Sequence, residues 1–224
     1  MVIALYSVWS ITFYFSNFTV VKSHVKMHLR FLALLFIVFS SYFMVPLKAQ
    51  TISKYYIGGG GGYSFKGEIV SSTETYNSTL ILMQGGINLT PSRVRFPLIL
   101  KMETNLGISN LSTHGARDYE WALIVGFETV FPLSNKIALT ASISTGPGYF
   151  NADIMKQSDG FIFSNNFSLT VIIRISSQGW YLKPEYRFRH MSSFDFRLPN
   201  YGLDHHFILL TAGVLFGDLP KGHR

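Results

Sequence analysis

Apolar side chains recur at every second position along most of the chain after residue 50, the spacing of extended strands with two unlike faces. From Thr79 the odd positions carry Thr79, Ile81, Met83, Gly85, Ile87 and Leu89, against Ser78, Gln84 and Asn88 on the even ones. From Val94 the apolar set is Val94, Phe96, Leu98, Leu100 and Met102, against Arg95, Lys101, Glu103 and Asn105. Alternating stretches also begin at Tyr119, Ile137 and Phe161. With Tyr55 to Phe65, the strand from Trp180 and Asp204 to Phe216, eight strands are predicted. Each is roughly ten or more residues long, about twice the usual length in a soluble sheet.

Eight long two-faced strands predict an all-β fold, an eight-stranded antiparallel transmembrane β-barrel of the outer-membrane type. An open sheet edge in hydrocarbon leaves backbone groups unpaired, so the sheet must close, with its apolar face outward. Lys101, Glu103, Glu120, Glu128, Arg174, Lys183, Glu185, Arg187 and Arg189 then point into the lumen, and their mixed signs predict a self-neutralising network. Short turns at 90–93, 132–136 and 176–179 alternate with longer loops at 67–76, 109–116, 149–160 and 193–203. That alternation matches the periplasmic and extracellular ends of such a barrel. The pentaglycine Gly58 to Gly62 precedes no helix or Lys-Ser/Thr pair, so it reads as a place for a bend or bulky neighbours rather than a phosphate loop.

Composition supports a lipid-facing surface: the 224 residues are 14% charged and 16% aromatic. The absence of cysteine excludes a disulfide scaffold, thiolate metal sites and a cysteine nucleophile. The formal charge of +7 is scattered, and nucleic-acid binding is not expected. Residues 27–49 have the layout of a secretory signal peptide: Arg30, an apolar run from Phe31 to Val45, then Ala49. Residues 1–26 read as an upstream extension and 50–224 as the barrel domain. The competing reading makes Val2 to Val21 and Leu29 to Leu47 two transmembrane helices, the first interrupted by polar residues and the second short.

One strand breaks its own pattern. Trp180, Leu182, Tyr186 and Phe188 form its lipid face, and His190 and Ser192 share their parity. The strand therefore presents an imidazole and a hydroxyl to the membrane at the cell-surface rim. Asp204 follows on the next strand, and a register pairing it with Ser192 would add a carboxylate on the same face. A serine hydroxyl needs a base, and a carboxylate fixes the imidazole tautomer, so the trio suits ester cleavage in an amphiphile. The alternatives are interfacial polar residues without chemistry, or a metal held by His190, His205 and His206. His205 and His206 point to opposite faces, which opposes the metal.

The segment FRHMSSFDFRLPNYGLD resembles the signature of the lipid A 3-O-deacylase family, eight-stranded outer-membrane barrels that remove an ester-linked acyl chain from lipopolysaccharide. The resemblance implies a serine hydrolase without calcium or other cofactor. It implies His190 as base, Ser192 as nucleophile, Asp204 as the acidic member, and Ser193 with Asn200 at the oxyanion. The sequence departs from that signature at Ser193, where the family has Asn, and at Asp204, where many members have Glu. The implied partners are lipid A or lipopolysaccharide as substrate and the outer-membrane lipids, with a homodimer left open. The rival readings are a small barrel serving adhesion or membrane integrity and an outer-membrane phospholipase.

Overall fold

The computed structural model describes residues 53–69, 75–90, 94, 96–110, 117–152, 154 and 156–217. The leader assigned to residues 27–49 and the extension before it lie outside the described residues. Eight strands close into one antiparallel barrel: β1 (Tyr55–Lys66), β4 (Ser78–Asn88), β5 (Leu98–Asn110), β6 (Arg117–Pro132), β7 (Ile137–Phe150), β8 (Gly160–Arg174), β9 (Trp180–Ser192) and β10 (Leu203–Phe216). Every barrel strand pairs with its chain neighbour, and β1 closes the ring against β10 from Tyr55↔Phe216 onward. A small hairpin of β2 (Glu68–Ile69) and β3 (Thr75–Tyr76) occupies the first long loop, where the alternation predicted only a connection.

The period of two does its work in each strand, because successive side chains leave the backbone on opposite sides. Trp121, Phe127, Ile143, Leu169, Trp180 and Ile208 are exposed on the outer wall, while Arg187 and Arg189 are almost wholly enclosed. The third predicted strand begins later than expected, at Leu98 rather than Val94. Pro97 has no N–H for the ladder, and regular pairing starts after it.

The lumen is layered. Tyr56, Ile99, Val130 and Tyr181 pack at the short-turn end, and Tyr76, Phe150, Ile162, Met191 and Leu203 pack at the long-loop end. Between them lies the charged network. Arg187 donates to both oxygens of Glu103 at 2.6 and 2.8 Å and from Nε to Glu185 at 2.7 Å. Lys101 lies 3.2 Å from Glu103, Lys183 lies 2.8 Å from Glu128, and Arg189 donates to Glu120 at 2.8 Å. Four cations thus face four carboxylates. Arg174, predicted to belong to this set, is only half-buried near the turn that joins β8 to β9, and its backbone N–H donates to Lys136.

The pentaglycine pairs without interruption with β10 on one side and β4 on the other. A Cβ on Gly58 would collide with the Tyr181 hydroxyl, so here the missing side chain admits a bulky lumenal neighbour.

Candidate active site at the outer rim

Outward-pointing residues at the level of His190 form one cross-strand row, Thr145 on β7, Asn165 on β8, His190 on β9 and Asp204 on β10. The row below it is apolar, with Ile143, Phe167 and Phe188 followed by His206. The row above holds Pro147, Phe163 and Ser192. A polar row thus crosses a wall that faces lipid, flanked mainly by apolar side chains with Ser192 above and His206 below.

His190 Nδ1 and Asp204 Oδ1 are 2.7 Å apart, with the two side chains 40% and 51% exposed. The expected register is corrected here: Asp204 stands opposite His190, not Ser192, because Leu203 pairs with Met191. The shift brings the carboxylate straight onto the imidazole, since directly opposed residues are the nearest cross-strand neighbours. With Nδ1 taken by Asp204, Nε2 is the nitrogen left to act as base. Ser192 follows two positions along the same face, and among the described residues its hydroxyl makes no hydrogen bond to His190. Such bonds commonly tighten only when substrate arrives.

The loop after β9 is anchored from within and from beside. The Ser193 N–H donates to Asn200 Oδ1 at 2.8 Å, and Ser193 Oγ donates to the Arg197 carbonyl at 3.1 Å. Asn200 Nδ2 donates to Asp195 at 2.9 Å. The two residues implied for the oxyanion therefore bind each other: the Ser193 amide is engaged, and Asn200 keeps only its second amide hydrogen. The neighbouring loop supports this arrangement through Ser158 N to Pro199 O at 3.0 Å and Arg197 to Asp159 at 2.7 Å. Phe194 and Asp195 sit in the left-handed region at φ 51° and 62°, which turns Phe194 back onto Phe163, ring centroids 4.8 Å apart.

Gly202 closes the loop at φ +77°, and a Cβ there would stand 2.5 Å from His190 Cε1. Only glycine combines that backbone with that proximity. Two features of the site were not found from the sequence. Asn165 and Thr145 interrupt the apolar parity of β8 and β7, and those interruptions were the available signal. His206 faces outward and accepts or donates at Nδ1 to the Tyr186 hydroxyl at 2.7 Å, whereas His205 is fully buried in the lumen, as their opposite parity requires.

The chain compares with known proteins as follows. No curated protein matches it. Solved structures that share its fold include the outer membrane enzyme PagL, at 11% identity and a TM-score of 0.53 over 70% of this chain and 97% of that one, and Neisserial surface protein A, at 12% and 0.54 over 75% and 100%. These likenesses are of fold, and they agree with a barrel of the bacterial outer membrane. The family model described as lipid A 3-O-deacylase (PagL) matches residues 89–212, more than half of the chain and every residue of the outward polar row, and the chain belongs to that family.

Proposed function

We propose that the protein is an outer-membrane serine esterase that removes an ester-linked acyl chain from lipid A. The observation that carries the reading is the 2.7 Å contact between His190 Nδ1 and Asp204 on the lipid-facing wall, with Ser192 next on the same face. Family membership supplies the substrate class. A shallow external groove running from His190 along Phe188, Phe167 and Ile143 offers an apolar bed for an acyl chain.

In this mechanism Ser192 Oγ attacks the acyl carbonyl carbon as its proton passes to His190 Nε2. Asp204 holds Nδ1 protonated and stabilises the imidazolium that forms. Collapse of the tetrahedral adduct expels the sugar alcohol, which takes the proton from His190. Water, deprotonated by the same nitrogen, then releases the fatty acid and frees Ser192. Asn200 contributes its remaining amide hydrogen at the oxyanion, while a contribution from the Ser193 amide requires it to let go of Asn200.

The test is mass spectrometry of lipid A from cells expressing the wild-type chain or Ser192→Ala. Wild type is expected to shorten lipid A by one acyl chain and the variant to leave it intact. Identical spectra from the two strains would refute the reading.

A further inference from the structure

Asn165 is the polar exception on its face. Every other outward position of β8, namely Phe161, Phe163, Phe167, Leu169, Val171 and Ile173, is apolar. A primary amide on a lipid-facing wall loses its water without gaining partners for all of its polar atoms, so a strand with no use for one is better served by another apolar residue. Here the amide is half met. Thr145 Oγ1 donates to Asn165 Oδ1 at 2.7 Å. In this arrangement the oxygen end of the carboxamide faces Thr145 and the NH₂ end is turned away from it.

The position of that NH₂ matters because Asn165 stands directly opposite His190. Asp204 is opposite His190 on the other side. The imidazole is thus flanked by a carboxylate on β10 and a carboxamide on β8. Ser192 is the diagonal neighbour of Asn165 on β9, since Phe163 is its direct partner. Diagonal neighbours lie roughly 7–8 Å apart, a gap that a serine-bound carbonyl carbon and one hydrogen bond can fill. On the loop side the implied oxyanion donors Ser193 and Asn200 are engaged with each other.

We infer that Asn165, oriented by Thr145, donates an amide hydrogen to the acyl carbonyl oxygen of the substrate on the flank of His190 opposite Asp204. This rests on the serine-esterase reading above. As the Ser192 Oγ–carbon bond forms, the carbonyl π pair moves onto oxygen and the hydroxyl proton goes to His190. The Asn165 N–H meets the developing negative charge. Asn165 is then a catalytic residue, and Thr145 a positioning residue that acts through it.

The test is steady-state deacylation of lipopolysaccharide in mixed detergent micelles by the purified full chain, with folding checked by the heat-dependent gel shift of barrels. Loss of one oxyanion donor commonly lowers kcat by about 10²–10³-fold, and Asn165→Ala is expected to do so with KM changed by less than about threefold. Asn165→Asp, which cannot donate and carries like charge, is expected to be at least as slow. Thr145→Val frees the carboxamide to turn and is expected to lower kcat by about tenfold, while Thr145→Ser, which keeps the hydroxyl, restores it. Folded Asn165→Ala and Asn165→Asp proteins with kcat near wild type, alongside an inactive Ser192→Ala, would overturn this inference and leave the nucleophile standing. An active Ser192→Ala would overturn both.

Discussion

Replacing Asp204 by Asn removes one charge and almost no volume, so it isolates the part of the site that orients the base. In the wild-type structure the carboxylate is an acceptor only, and at 2.7 Å it requires a proton on His190 Nδ1. The lone pair then lies on Nε2, where Ser192 can give up its proton. A carboxamide can turn its NH₂ toward Nδ1, which moves the imidazole proton to Nε2 and abolishes the base. In serine triads this tautomer error lowers kcat by about 10⁴, equivalent to about 5.5 kcal/mol of transition-state stabilisation. Stability should respond very differently. The pair lies on the outer wall, outside the closed lumenal network, and the carboxamide keeps both the volume and a hydrogen bond to the imidazole, so the fold loses little. The prediction is a dissociation of the two readouts: fatty-acid release from lipopolysaccharide falls by about four decades, while the urea midpoint of the barrel, followed by gel shift, stays within error of wild type. Asp204→Glu, which keeps the acceptor and lengthens its reach, should retain most activity. An Asp204→Asn protein within about tenfold of wild type would refute the tautomer argument.

The lumenal network and the loop hinge give contrasting outcomes. Arg187→Met leaves Glu103 and Glu185 without their shared guanidinium in a closed interior, and breaking a buried pair from one side costs about 3–5 kcal/mol. The urea midpoint should fall accordingly and recover partly when Glu103→Gln is added; a loss below about 1 kcal/mol would show that lumenal water replaces the arginine. Gly202→Ala places a methyl group 2.5 Å from His190 Cε1 in a backbone conformation that alanine resists. Activity is expected to drop by about 10²-fold through displacement of the imidazole, with only about 1 kcal/mol lost in stability; equal and full activity would show that the ring can relax.

Much of this architecture follows from the alternation of residues alone. In an extended chain the direction of each side chain is set by its own backbone dihedrals, so parity decides which residues meet lipid and which are enclosed, whatever the rest of the fold does. That is why the eight strands, the inward Arg187 and Arg189, and the outward His190 and Ser192 could be read from a single strand at a time. Strand ends were less legible, as at Val94, because a ladder needs a partner and Pro97 withholds its donor.

Register and closure belong to the tertiary structure. Which residue faces which depends on the conformation of the connecting loop. The loop at 193–202, with its three left-handed residues Phe194, Asp195 and Gly202 and its Ser193–Asn200 bond, sets Asp204 against His190 and not against Ser192. Partners brought together by closing the ring are remote in the chain, so no spacing announces them: Arg187 and Glu103 are 84 residues apart. The same holds for the contacts across β7, β8 and β9 that set Thr145 and Asn165 beside the imidazole. The faces of the strands are thus a local property of the chain, while the assembly of the site across them depends on how the strands are aligned when the barrel shuts.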